Sequence, residues 1–152
     1  MDNSEIAAIF KRIAILSEIK GEDHFKVSAY QRAAETIQGT TLDLCGMDEK
    51  ELTALPGIGK AIAGKIMEIS SKGKPDLLAR LETEIPAGLV ELIAIPDVGP
   101  RKAARFWKEL GITSIDELDR AAMGGKLREL PGMGEKSEAR ILDGIRIFKA
   151  SR

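Results

Sequence analysis

The sequence predicts an all-α fold of two small helical domains, residues 1–84 and 85–152, built around short helical hairpins. Three observations predict it. Apolar residues recur at the helical period along nearly the whole chain, and no stretch alternates with period two for long enough to make a strand. A turn of apolar residue, Pro, turn residue, apolar residue and Gly recurs between helical stretches. Its copies are Leu55-Pro56-Gly57-Ile58-Gly59-Lys60, Ile95-Pro96-Asp97-Val98-Gly99-Pro100 and Leu130-Pro131-Gly132-Met133-Gly134-Glu135. Finally, Ile85-Pro86 interrupts the helical pattern near Glu84–Gly88, leaving one hairpin before it and two after.

The elements follow in order. Ile6, Ile9, Phe10, Ile13 and Leu16 mark a first helix, with Asn3 or Ser4 as its N-cap and Gly21 as its end. A second runs from about Asp23 to Gln38 with Gly39 beyond it, and Phe25, Ala29, Ala33 and Ile37 form its stripe. Asp48 caps a short helix with Glu51 at capping-box distance, running into Leu55-Pro56. Further helices start at about Lys60, Asp76, Ala87, Pro100, Ser114 and Glu135, the last holding Ile141, Leu142, Ile145 and Phe148. Phe106 and Trp107 read as core anchors, and Cys45 as a small half-buried residue with no base beside it.

Composition narrows the function. Of 152 residues, 43% are hydrophobic and 31% charged, which suits a folded chain. No apolar run reaches the roughly 18–20 residues of a membrane span, and Met1-Asp2-Asn3-Ser4-Glu5 lacks a signal peptide's basic start. The expected location is therefore cytoplasmic, with no membrane partner. A single cysteine and a single histidine, His24, exclude a disulfide framework and a Cys/His metal cluster. Net charge is −1 and aromatic content 4%, so nucleic-acid contacts must come from local patches and not from stacking platforms.

A Gly-x-Gly turn entering a helix presents unpaired N–H groups at that helix's start, where the dipole also favours an anion. Such a turn reads no base edge, so it suits sequence-independent backbone binding. Local charge agrees for two copies. From Pro56 to Pro75, Lys60, Lys65, Lys72 and Lys74 face only Glu68; from Pro96 to Lys108, Arg101, Lys102, Arg105 and Lys108 face only Asp97, a local +3 each. The backbone-binding set is thus Gly57, Ile58, Gly59, Val98, Gly99, Arg101, Lys102 and Arg105, with Gly132, Gly134 and Lys136 in the third copy. There Glu135 stands where a phosphate would approach, and it suits its own helix start instead.

The run Phe25-Lys26-Val27-Ser28-Ala29-Tyr30-Gln31-Arg32-Ala33-Ala34, with the first hairpin and Ile62-Ala63-Gly64-Lys65-Ile66, resembles the N-terminal 8-kDa domain of family X DNA polymerases. The second half, with its two hairpins, looks like the fingers subdomain of the bacterial and archaeal members. The resemblance implies a polymerase-beta-like and SAM-like helix–hairpin–helix fold, and gapped, nicked or abasic DNA duplex as the partner in repair. It implies that the first hairpin grips the strand downstream of a gap and the second the primer side. It also implies a Na+ or K+ ion held by the carbonyls of Thr53, Leu55 and Ile58, and another by those of Ile93, Ile95 and Val98; no other cofactor is required. The gap's 5′-phosphate would fall to Lys26, Tyr30, Lys60 and Lys65.

No Asp-x-Asp motif occurs, and two-metal nucleotidyl transfer needs those carboxylates. The chain alone is therefore expected not to polymerise. It reads as a fragment or a stand-alone relative, with a palm domain in the same or another chain as a partner. In lyase-active family members a lysine Schiff base removes 5′-deoxyribose phosphate, and Lys65 matches that position. The departures are Phe25 in place of a histidine, Thr53 and Ala61 in place of lysines, and Asp97 in place of the second hairpin's first glycine, where its charge opposes a phosphate. Three readings stand: a gap-binding module, an abasic-site or 5′-deoxyribose phosphate lyase using Lys65, and a helical scaffold for protein partners.

Overall fold

The computed structural model describes residues 1–152, and every regular element in it is helical. The chain divides into two units, Met1–Glu84 and Ile85–Arg152.

The first unit opens with α1 (Asn3–Lys20) packed along α2 (His24–Gly39). Ile6, Phe10, Ile13, Leu16 and Ile19 of α1 are fully buried against it. The N-cap is Asp2, not Asn3 or Ser4: its carboxylate accepts the Glu5 amide at 2.8 Å. Asn3 is committed elsewhere. Its amide donates to the carbonyls of Leu42 (2.6 Å) and Thr40 (3.4 Å) and accepts from the Leu44 amide (3.2 Å), pinning the segment that follows α2. Gly21 ends α1 in the left-handed region at φ 91°.

Asp23 caps α2, which keeps Gly39 within it and ends at Thr40. The buried stripe of α2 is Val27, Ala33, Ala34 and Ile37, with Tyr30 half-buried and stacked on Phe10 at 6.5 Å. The expected stripe of Phe25, Ala29, Ala33 and Ile37 holds at Ala33 and Ile37 and half at Ala29, but fails at Phe25. Phe25 is 80% exposed, because it lies two residues, or about 200° of helix rotation, from Val27 on the face turned away from α1.

The rest of the unit is α3 (Glu49–Thr53), α4 (Lys60–Lys72) and α5 (Asp76–Glu84). Asp48 and Glu51 form the full capping box at the start of α3. Ile62, Ala63, Ile66 and Ile69 of α4 face the core. α5 returns to α1, where Arg12 meets Glu82 (2.9 Å) and Lys20 meets Glu84 (2.7 Å).

The second unit contains α6 (Gly88–Leu92), α7 (Pro100–Leu110), α8 (Ile115–Met123), a 3-10 turn at Leu127–Glu129, and α9 (Glu135–Ala150). Its core gathers Leu89, Leu92, Ile95, Phe106, Leu118, Ile141 and Ile145. Phe106 is fully buried but Trp107, the next residue around α7, is only half-buried, so a single anchor serves this helix and not two. Gly88 is required by packing: a Cβ there would lie 1.9 Å from the Thr113 carbonyl oxygen. No helix is long and apolar enough to cross a membrane.

Candidate nucleic-acid interface

The recurring turns have one backbone geometry. In each, an amide closes a tight turn onto the carbonyl three residues earlier: Ile58 to Leu55 (3.2 Å), Val98 to Ile95 (3.0 Å) and Met133 to Leu130 (3.0 Å). The residue after the proline is left-handed in all of them, Gly57 at φ 82°, Asp97 at 72° and Gly132 at 82°. Asp97 is the only residue other than glycine with positive φ, and aspartate tolerates that region better than most. Ile58, Val98 and Met133 plug the turns into their cores, leaving the proline and left-handed residue on the surface.

Gly59, Gly99 and Gly134 then begin α4, α7 and α9 in extended conformation, and no side chain caps any of these starts. The first amides of α4 and α9 therefore have no acceptor within their own helix, at the positive end of the helix dipole, whereas α7 opens on Pro100, which has no N–H to offer. At Gly57 close packing adds to the backbone demand, since a Cβ would sit 2.9 Å from Thr36 Oγ1 of α2.

The side chains around the turns differ more than the backbones do. At the first, Lys60 pairs loosely with Glu49 at 3.8 Å. At the second, Arg101 is exposed, Lys102 donates to the Asp97 carbonyl at 3.0 Å, and the Asp97 carboxylate lies 3.4 Å from Arg140 Nε of α9. Arg105 turns away from the loop, donating to Glu109 (2.8 Å) and to the Pro131 carbonyl (2.5 Å), so it ties the second turn's helix to the third turn.

The third turn is held by acid. Glu138, 1% exposed, accepts from the amides of Leu127 (3.0 Å) and Arg128 (3.1 Å) and from the Arg128 guanidinium (2.8 Å at Nε). Glu135 holds the other side of Arg128 at 3.1 Å, while Lys136 is exposed. Arg128 is held in its charged form by these carboxylates, Glu138 foremost.

Elsewhere in the first unit, Lys65 of α4 lies over the Tyr30 ring, 5.8 Å from its centre, half-buried and without a carboxylate partner. Lys26 sits one turn before Tyr30 on α2 and pairs with Glu22 at 3.9 Å. The Tyr30 phenol is pushed above its ordinary 10.0 by burial first, then by Glu22, with Arg80 of α5 opposing. The fold thus sets Lys65 over Tyr30, with Lys26 one turn before Tyr30 on α2, and the charge of Arg80, which sequence reasoning missed, bears on the phenol from α5. Lys60 has no contact with this group; five residues before Lys65, it projects about 140° away around α4.

Arg80 and Arg140 act across helices and leave no local signal. Glu138 did leave one, as a charged residue on the apolar stripe it shares with Ile141 and Ile145. No group of three or more His, Cys, Asp or Glu side chains is placed to hold a metal ion.

Residues 1–75 match the family described as helix-hairpin-helix domain, and residues 89–146 the family described as SAM-like helix-hairpin-helix tandem. Over 145 residues, 95% of its length, the chain is 37% identical to the DNA polymerase/3′-5′ exonuclease PolX of Bacillus subtilis (strain 168), of which this covers 25%. Over 117 residues, 76% of its length, it is 31% identical to DNA polymerase lambda of Arabidopsis thaliana, of which this covers 21%. The chain therefore spans about a quarter of the length of these relatives.

Proposed function

The chain belongs with the helix–hairpin–helix domains and is homologous to the N-terminal region of family X DNA polymerases, and from that premise we propose that it binds the sugar–phosphate backbone of duplex DNA at gaps or nicks carrying a 5′-phosphate. One observation carries the reading: the left-handed residue, the tight turn and the uncapped helix start recur in the same order at all the hairpins. Phosphate oxygens accept hydrogen bonds from the amides at the start of α4, and at α7 from those that follow Pro100. Lys60, Arg101 and Lys102 add diffuse positive charge beside them. Lys26, Tyr30, Lys65 and Arg80 supply donors for the terminal phosphate of the downstream strand.

Within the same proposal, carbonyls of Thr53, Leu55 and Ile58, and of Ile93, Ile95 and Val98, take a monovalent cation at each loop. A palm domain in the same or another chain supplies any nucleotidyl transfer. Contacts through backbone amides and phosphates make binding indifferent to sequence and steeply dependent on salt.

A fluorescence-anisotropy titration tests this with gapped duplexes that differ only in the downstream 5′-phosphate. The expected result is tighter binding to the phosphorylated gap, lost in Lys26→Ala. Equal affinity for both duplexes would reduce the protein to a general backbone binder. No binding at low salt would favour a protein-interaction scaffold.

The position of Lys65 favours a second reading, a lyase. Its amine is half-buried against Tyr30 and carries no carboxylate, unlike Lys26 and Lys60. The neutral amine would attack C1′ of an abasic sugar and expel water to form an imine. Loss of the C2′ proton to solvent would then form the C2′–C3′ double bond as the C3′–O bond breaks, releasing the downstream strand. Water finally hydrolyses the imine and frees the lysine. Borohydride should trap the intermediate as a covalent adduct that Lys65→Ala abolishes; absence of any adduct with the parent protein removes this reading.

A further inference from the structure

We propose that Asp97 limits the affinity of the second hairpin, its carboxylate holding Arg140 in an internal contact that a DNA phosphate must displace. The inference rests on the backbone-binding reading above and concerns how that binding is set. The turn itself does not ask for an aspartate. The same left-handed position is glycine at 57 and 132, where the backbone adopts nearly the same φ with less steric cost. What Asp97 adds is a charge and a side-chain partner for it, Arg140.

Its carboxylate lies 3.4 Å from Arg140 Nε, and its carbonyl accepts from Lys102 Nζ at 3.0 Å. Arg140 reaches the loop because α9 runs past it. One turn further along α9, Gly144 packs on the loop so closely that a Cβ there would meet the Pro96 carbonyl oxygen at 3.0 Å. The guanidinium is therefore carried to the hairpin by a packed helix, and Asp97 neutralises it there.

Both members of the pair are about half exposed, 60% for Arg140 and 49% for Asp97, and exposed pairs are weakly held. A phosphate arriving at the start of α7 thus exchanges one ion pair for another. At the first hairpin no acid stands on the loop itself; Glu49 approaches Lys60 only from α3, at 3.8 Å.

The test is DNA affinity as a function of salt for the full chain and two variants, Asp97→Asn and Asp97→Gly, both compatible with positive φ. Asp143→Asn, which removes a charge from the exposed face of α9, is the control for net charge. Asp97→Asn and Asp97→Gly should each bind gapped duplex about fivefold more tightly at low salt. The logarithmic salt slope should steepen by about one. Adding Arg140→Gln to either variant should remove most of the gain.

The proposal is overturned if both Asp97 variants bind as the parent does, or if Asp143→Asn gives an equal gain. Failure of the underlying reading looks different: parent and variants alike would then fail to bind DNA at low salt, and both proposals fall. Thermal unfolding of each variant shows whether the fold is retained.

Discussion

Replacing Glu138 with alanine should unfold the second unit at a much lower temperature, and the structure gives the size of the effect. The carboxylate is 1% exposed and accepts two backbone amides and the Arg128 guanidinium, so it holds the 3-10 turn to α9. Without it, the Leu127 amide is stranded in a buried setting, at a cost of about 1–3 kcal/mol. The Arg128 amide and side chain recover partly in water, since the side chain is 47% exposed. Loss of the packed methylenes adds about 1 kcal/mol. The sum is roughly 3 kcal/mol, against 0–1 kcal/mol for an exposed pair such as Arg146–Asp143. In a domain this small, that is a fall in Tm on the order of 15 °C.

Circular dichroism melts of Glu138→Ala, Glu138→Gln and Asp143→Asn would measure it. The glutamine variant should fall between the others, because its amide accepts the backbone donors but turns an N–H toward Arg128. A loss below about 1 kcal/mol in Glu138→Ala would refute the assignment of the turn to this carboxylate.

Gly57→Ala should destabilise the first unit by about 1–2 kcal/mol, and by more than Gly132→Ala does the second. Both sit at φ 82°, but only Gly57 has an atom, Thr36 Oγ1, within 2.9 Å of the added carbon; equal costs in denaturant titrations would dismiss that contact. Glu82 predicts an acid limit for the first unit. Its carboxyl is held below the ordinary 4.5 by its hydrogen bond to Lys74 first and then by Arg12, with burial opposing. Its stabilisation is therefore full above about pH 4.5 and is lost as pH falls through the lower folded value, so Glu82→Gln should flatten stability against pH in that window. Phe25→Ala should change the melting temperature by no more than an exposed-site substitution does, within about 0.5 kcal/mol, because the ring is 80% exposed; a large loss would mean the ring packs in solution.

Features controlled by neighbouring residues were legible. Gly21, Asp23, the Asp48–Glu51 box and Ser114 end or begin helices where local backbone chemistry requires them. The hairpins were legible for the same reason, since a left-handed residue between two turn-closing apolar plugs leaves a recognisable pattern. Helix phase was less so. The stripe of α2 is set by what α1 presents, which moves it off Phe25 and onto Val27. Asp2 took the cap assigned to Asn3 or Ser4, and the Asn3 amide is claimed by carbonyls and an amide some forty residues later.

The charges around the hairpins were the least legible part. Counting residues gave both basic hairpins the same +3, yet Arg105 is tied to Pro131, Lys102 to Asp97 and Lys60 to Glu49. Only the fold separates these cations from Lys65, which lies over an aromatic ring.

The grip of Asn3 on residues 40–44 sets an order of events during synthesis. Leu42 and Leu44 leave the ribosome after α1 and α2 have done so, and α1 and α2 can pair while the segment after them is still unanchored. The amide then acts as a late latch. A nascent chain released as far as Gly39, with Leu42 and Leu44 still inside the ribosome, would carry a paired α1 and α2 whose exit toward α3 has not yet been given its direction.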